Sequence, residues 1–244
     1  MKNCLTVFRR ELAGYFATPV AYVFLIVFLA LCGFTTFQLA GFYEREQADL
    51  QPFFAFHPWL YLFLMPALAM RLWAEERKSG TIELLMTLPI GLGGAVLGKY
   101  LAAWAFSGVA LALTFPIWIT VNTLGDPDNG VIFATYIGSF LMAGGFLAIG
   151  SFLSALTKNQ IVAFVLTVVL CLLFVMAGFQ PVLQFVSGVL PQVLVDAIRN
   201  FSFLTHFNAI SKGVIDLRDV VFFGSLIVAF LIANTIAVDW KKAD

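Results

Sequence analysis

The sequence predicts an all-α integral membrane protein that forms a single transmembrane domain over residues 1–244. First, 61% of the residues are hydrophobic and only 11% are charged, whereas soluble domains average roughly 45–50% apolar and about 25% charged residues. Second, six stretches without Asp, Glu, Lys or Arg are long enough for the ~20 residues that one crossing of a bilayer requires. Third, Lys and Arg are concentrated in alternate loops, as in multi-pass membrane proteins.

The composition also excludes other classes of protein. A disordered chain combines low hydrophobicity with high net charge, but this chain is apolar and its formal net charge is zero. A nucleic-acid-binding domain needs clustered positive charge, and three cysteines are too few for a disulfide framework. We therefore expect a lipid bilayer around the chain and no nucleic acid as a partner.

Six transmembrane spans follow from the uncharged stretches. The first is expected to be an uncleaved anchor, because it is far longer than the ~7–15 residues of a signal-peptide h-region. The fifth stretch is too long for one crossing, since a straight helix over 159–195 would extend ~55 Å. Two tight helices there would give seven spans, but we prefer one span followed by external re-entrant and surface helices over 179–218. The predicted spans are 20–43, 54–74, 97–124, 131–156, 160–178 and 219–239.

The basic residues predict how the chain is oriented in the membrane. With the N-terminus in the cytoplasm, ten of the 14 Lys and Arg residues lie in cytoplasmic loops and four lie outside, which is the usual bias. When the acidic residues are included, the inner face carries a net charge of +4 and the outer face −4. We therefore expect both termini in the cytoplasm.

Residues 1–18 predict an amphipathic helix on the cytoplasmic membrane surface. Apolar residues recur there at helical spacing with charged residues between them, and Pro19 marks the bend into the first span. Simple anchoring of the chain to the membrane would also explain such a helix. The residues that form this pattern include Phe8, Arg9, Arg10, Glu11, Tyr15 and Phe16.

The segment between spans two and three carries the densest cytoplasmic charge. Its first half continues the helix of span two into water, and the sequence at 79–81 interrupts that helix and offers a new N-cap. The segment 79–90 then predicts a short apolar helix, whose last helical turn ends before Pro89. Such a helix suits the docking of a partner or a position on the membrane surface. The residues singled out are Glu75, Glu76, Arg77, Lys78, Gly80, Thr81, Ile82, Glu83, Leu84, Leu85 and Pro89.

Glycine-containing motifs near the start of span three and in span four are candidate functional features. The sequence GGAVLGK at 93–99 matches part of a nucleotide-binding P-loop, but Tyr100 stands where Ser or Thr is required and no α/β domain surrounds it. Close packing of helices is the favoured role of the glycines, which are Gly94 and Gly98 near the start of span three and Gly144 and Gly145 in span four.

The sequence offers no convergent set of catalytic or metal-ligating residues. The two histidines, His57 and His206, are predicted on the outer side, far from the paired glutamates Glu75 and Glu76. No charge lies in the core of a span, which disfavours an ion-coupled transporter and favours an amphipathic or lipid-linked cargo over an ion. We expect no catalytic residue, no metal and no cofactor in this chain.

Three segments resemble the permease subunits of the type-2 ABC transporter family, and most closely its gliding-motility-associated branch. The resemblance covers nearly the whole chain, and the middle segment is the most specific. The segments are RELAGYF at 10–16 with PVAY at 19–22, EERKSGTIELL at 75–85 with Pro89 and Ile90, and HF at 206–207 with SKGVIDLRD at 211–219.

This resemblance implies an exporter that works with other proteins. Such permeases have six spans and a coupling helix, here 79–90, on which a separate cytoplasmic ATPase subunit docks. ATP and magnesium bind to that subunit, and two copies of the permease form a homodimer through spans one, two and five. The resemblance also implies a bacterial or archaeal inner membrane and an auxiliary protein with a large extracytoplasmic domain.

The resemblance further assigns roles to residues. Glu75, Glu76, Arg77, Thr81, Glu83 and Leu84 would transmit the ATPase stroke, with Arg9, Arg10 and Glu11 sharing the contact. The external segment before span six contributes His206, Lys212, Asp216 and Arg218. Three alternatives remain open, namely a membrane component that transmits force to an extracytoplasmic partner without transport, a membrane-embedded enzyme, and an ATP-independent channel.

Overall fold

A computed structural model describes residues 2–82, 91–188 and 190–240, which form helices and no strand. Helix α2 continues into a π-helical turn at Thr35–Leu39. The helices are α1 Lys2–Ala17, α2 Pro19–Phe34, α3 Gln51–Ala55, α4 His57–Ala69, α5 Arg71–Ser79, α6 Leu92–Ala112, α7 Phe115–Leu124, α8 Asn129–Leu156, α9 Gln160–Met176, α10 Gln180–Ser187, α11 Gln192–Asn200, α12 Phe203–Ile210 and α13 Leu217–Trp240.

Within the described ranges, four helical segments are long and apolar enough to cross a membrane. A fifth results if α9 and α10, which meet at an angle of 69°, are counted as one span. The chain is therefore a multi-pass helical protein with four or five candidate spans, and the six-span topology stays a prediction. The four segments are Pro19–Leu39, Leu92–Leu124, Asn129–Leu156 and Leu217–Trp240.

The predicted second span over 54–74 is divided into shorter helices. Pro66 inside α4 removes a backbone donor, and the helix ends one turn later at Met70. The hydroxyl of Ser154 on α8 bridges the break, because it donates to Met70 O at 2.9 Å and accepts from the backbone N–H groups of Trp73 and Ala74 at 3.1 and 3.0 Å. The backbone groups that the break frees are therefore paired.

Helix α8 lies at the centre of the fold. In its most apolar stretch of 18 residues, 72% of the residues are buried, compared with 39% or less in the other three candidate spans. The helix packs against α4, α5, α6, α9, α12 and α13. Small residues let neighbours approach, since a Cβ added at Gly144 would lie 2.8 Å from the ring of Trp104. Hydrogen bonds tie α8 to α4 and α13, from Tyr61 to Ser139 at 2.8 Å and from Asn234 to Ser151 at 2.7 Å.

The start of span three differs in detail from the sequence prediction. Helix α6 begins at Leu92, five residues before the predicted start of span three, and a break after Ala112 separates it from α7. The predicted external region over 179–218 contains the three short helices α10, α11 and α12. No membrane accompanies the chain, so the re-entrant position of this region stays a prediction.

Candidate functional site around Lys99

The N-terminal helix α1 lies along the first turns of α6. A Cβ added at Gly98 would come within 2.9 Å of Cys4 O and of Val7 Cβ, and one at Gly94 would lie 4.0 Å from Cys4 N. The close approach expected at these glycines therefore involves the amphipathic helix rather than another span. Aromatic residues extend the contact, because Tyr15 stacks on Phe106 with their ring centroids 5.0 Å apart.

Lys99 on α6 is the centre of an ion cluster that joins three helices. Only 3% of its side chain is exposed. Its Nζ lies 2.7 Å from Glu76 Oε1 on α5 and 3.3 Å from Glu11 Oε2 on α1. The ring of Trp73 lies beneath the same ammonium group, with 5.5 Å between Nζ and the ring centroid. A buried ammonium requires such partners, because an unpaired charge is costly to remove from water.

The charges of the cluster determine the protonation of Glu11. Burial by itself raises the pKa of this carboxyl, but the ammonium of Lys99 and the guanidinium of Arg10 outweigh burial and hold its pKa below the ordinary value. Arg10 Nη2 lies 2.6 Å from Glu11 Oε1. The cluster thus consists of two acids and two bases from three helices.

Helix α5 is also attached to the end of α8. Arg77 Nη1 donates a hydrogen bond to Ala155 O at 2.6 Å. This carbonyl lies in the last turn of α8, where no amide of the same helix follows to pair with it. Together with the Ser154 bridge, the bond fixes α5 to the central helix. The pair between Arg71 and Glu75, 3.6 Å apart, is largely exposed and adds little stability.

The chain leaves α5 through an exposed turn. Gly80 has a φ of 73°, the left-handed conformation that ends many helices. The hydroxyls of Ser79 and Thr81 lie 2.9 Å apart beside it, and both residues are exposed. The structure thus places the start of the predicted coupling helix directly after the helix that carries Glu76.

The structure brings some of the predicted site residues together and leaves others apart. Glu11 and Glu76 are brought together by Lys99, whereas Arg9, Phe16 and Lys78 do not join the cluster. Phe8 and Ile82 are half-buried and Pro19 opens α2. The remaining predicted residues of the coupling helix lie outside the described residues, and these are Glu83, Leu84, Leu85 and Pro89.

Sequence reasoning missed Lys99 and Ser154. Lys99 was counted as one of the cytoplasmic bases, and as the last residue of a motif that is not a P-loop. One sequence signal points to its burial, because it directly follows Gly98 in the pair of glycines predicted to pack closely against another helix. Nothing in the sequence links Ser154 to Met70, which lies 84 residues earlier in the chain.

Comparison with known families places the chain. A sequence profile described as "ABC-2 family transporter protein" matches residues 45–238, which is well over half of the chain. The chain belongs to the ABC-2 transporter family. No curated protein matches it. Family membership supports a multi-pass permease subunit of an ABC transporter, which is a transport component of the membrane, and it implies an ATPase partner.

In this ABC-2 family member, the segment before α13 assembles around His206. Its Nδ1 lies 2.6 Å from Asp219 Oδ1, its Nε2 lies 2.9 Å from Asn200 O, and its ring stacks on Phe222 at 3.9 Å. Both ring nitrogens are therefore engaged. The exposed Arg218 donates to the side chain of Asn200 and, through its backbone N–H, to Asp216 Oδ1 at 3.0 Å, whereas Lys212 is exposed and outside this group.

Within 2–82, 91–188 and 190–240, no three His, Cys, Asp or Glu side chains come together as ligands for a metal ion. Asp219, buried against His206, is the residue of this segment that the site prediction omitted. It belongs to the sequence SKGVIDLRD at 211–219, so the resemblance of this sequence to the permease family could have identified it.

Proposed function

We propose that this ABC-2 permease is half of a homodimeric exporter driven by separate ATPase subunits, which dock on the segment 79–90. The family match supports the permease role. The docking proposal is supported by one observation, the Lys99 cluster, which joins α1, α5 and α6 immediately before that segment. We also propose the orientation inferred from the basic residues, with this end of the molecule in the cytoplasm of a bacterium or archaeon.

The cluster supplies a physical route for the stroke of the ATPase. A force on residues 79–82 reaches α5 through one turn of chain at Gly80. From α5 it passes to α6 and α1 through Glu76, Lys99 and Glu11, and to α8 through Arg77. Buried ion pairs tolerate little change in geometry, because a displaced charge loses its partner without regaining water. Helices α1 and α6 therefore move with α5, and the central helix α8 moves with them.

The substitution Thr81→Arg tests docking. Thr81 is exposed and makes only local contacts, so the variant is expected to fold and to lose the stimulation of ATP hydrolysis by the permease. The measurement uses proteoliposomes that contain the permease and its ABC ATPase subunit. Thr123→Arg, the same change at an exposed position near the other end of α8, is the matched control. Equal stimulation by both variants would refute docking at this segment.

Flux in the same vesicles separates an exporter from a force-transmitting component. ATP-dependent transfer of an amphipathic cargo supports export. If ATP hydrolysis is stimulated without transfer of cargo, and only when a partner with an extracytoplasmic domain is present, the result would support the force-transmitting component. We place the chain in the gliding-motility branch on the resemblance of 10–22 and 206–219, and an auxiliary partner of that kind is part of this proposal.

A further inference from the structure

A cavity of about 490 Å³ opens at the end of the fold opposite the Lys99 cluster. Thr135 of α8 lines the cavity, and Ala155 of the same helix accepts the hydrogen bond from Arg77. Twenty residues of helix separate the two, which is about 30 Å and equals the thickness of a bilayer core. The cavity therefore lies where a spanning α8 would meet the lipid headgroups.

The cavity has a floor of core residues. Its floor contains Leu50, Phe54, Ile132 and Phe207, each of which is 3% exposed or less. These side chains belong to the main hydrophobic core, so packing fixes the shape of the floor, whereas Arg45, Asp49 and Asp128 lie in segments between helices. Its volume falls within the roughly 300–1,000 Å³ that is typical of pockets for small ligands.

Among the residues that line the cavity are two acids, Asp49 and Asp128, and one base, Arg45. Asp49 Oδ1 accepts from the backbone N–H of Gln51 at 3.0 Å, and Asp128 Oδ1 accepts from those of Gly130 and Val131 at 2.9 and 3.2 Å. These bonds hold both carboxylates in place through one oxygen each. Arg45 supplies a guanidinium, and in the described part of the chain none of the ion pairs includes any of these three residues.

We propose that this cavity binds the headgroup of a zwitterionic phospholipid that carries a primary ammonium. The ammonium pairs with Asp49 and Asp128, the phosphate pairs with Arg45, and the first methylenes of the acyl chains cover the apolar floor. A simple anion would meet two carboxylates, and a simple cation would leave both the guanidinium and the floor without a partner. The site does not depend on ATPase docking, so it stands or falls separately from the proposed function.

Binding to the purified full-length protein in detergent tests the proposal. The probe is dihexanoyl phosphatidylethanolamine, titrated by calorimetry. We expect saturable binding, at least tenfold tighter than that of dihexanoyl phosphatidylglycerol, which lacks the ammonium. Glycerophosphoethanolamine has the headgroup without acyl chains, and equal binding of this soluble ester would reject a lipid as the ligand. Equal affinities for the two lipids, or no saturable binding, would overturn the proposal.

Substitutions of residues that line the cavity test whether the lipid binds there. Asp49→Asn and Asp128→Asn keep the oxygen that accepts the backbone hydrogen bonds and remove the charge. Each is expected to weaken the binding of phosphatidylethanolamine at least tenfold without weakening that of the anionic phosphatidylglycerol, which loses a repulsive carboxylate. Asn208→Trp fills the cavity from an exposed position of α12 and should abolish both. Arg199→Gln, an exposed base that does not line the cavity, is the control. If the three cavity variants bind like the control and the unmodified protein, the site lies elsewhere.

Discussion

At the scale of single residues, the burial of Lys99 is the feature with the largest energetic consequence. Its ammonium is shielded from water by α1, α5 and α6, and it meets one carboxylate from α5 and one from α1. An ion pair of this kind adds little net stability compared with an apolar replacement of the whole set, whereas removal of one partner leaves a charge unpaired.

The substitution Lys99→Met is therefore expected to lower the free energy of unfolding by about 2–3 kcal/mol. Glu11 and Glu76 keep about a fifth of their surface exposed, so water relieves part of the loss. Thermal unfolding in detergent measures the effect. Lys78→Met makes the same change at an exposed position of α5 and should alter stability by less than about 0.5 kcal/mol.

A combined variant tests whether the effect belongs to the cluster. If Lys99→Met destabilises because the two carboxylates lose the ammonium, then adding Glu11→Gln and Glu76→Gln restores part of the lost stability, because neither side chain then carries a charge. Additive losses in the triple variant would contradict this explanation.

At the scale of elements, the glycines on α6 set the position of α1. Gly98→Ala places a methyl group 2.9 Å from Cys4 O and Val7 Cβ, so α1 must shift, at a cost of about 1–3 kcal/mol. Gly94→Ala meets α1 only at van der Waals distance, 4.0 Å, and should stabilise the helix by about 0.5–1 kcal/mol.

The thiol of Cys4 reports this displacement. Cys4 is half-buried on α1, whereas Cys32 and Cys171 are buried. Maleimide labelling of Cys4 should therefore become faster in Gly98→Ala and stay unchanged in Gly94→Ala. The same labelling rate in both variants would show that Gly98 does not set the distance between the helices.

The elements differ in how far the sequence determines them. Local patterns suffice for α2, α8 and α13, because an uninterrupted apolar stretch of span length has few alternatives. The glycines of α8 also indicated close packing against neighbouring helices. The break at Met70 could not be derived, since it depends on Ser154, a residue distant in sequence. For the same reason the glutamates near 75 and at 11 were identified as important, but the lysine that pairs with both was not.

At the scale of the whole molecule, the cluster makes the attachment of α1 sensitive to acid. The pKa of Glu11 is lower in the folded protein than the ordinary 4.5. Its ionised form is therefore stabilised by folding, and this contribution is present above about pH 4.5 and is lost as the pH falls through the folded value. We expect the melting temperature to fall more steeply below pH 4.5 in the unmodified protein than in Glu11→Gln.

A matched variant isolates Glu11 in this comparison. Glu75→Gln removes an exposed carboxylate from α5 and should keep the acid sensitivity of the unmodified protein. Identical pH profiles for the unmodified protein and Glu11→Gln would show that the paired carboxylate contributes nothing to the cohesion of the fold.

The composition of the Lys99 cluster has an electrical consequence. Arg10, Glu11, Lys99 and Glu76 are linked by successive ion pairs, and their charges cancel. Moving one elementary charge through a membrane potential of 100 mV changes the free energy by about 2.3 kcal/mol. A neutral group that moves as a unit carries no gating charge. Displacement of the cluster itself therefore adds no voltage dependence to a conformational change of the helices that carry it.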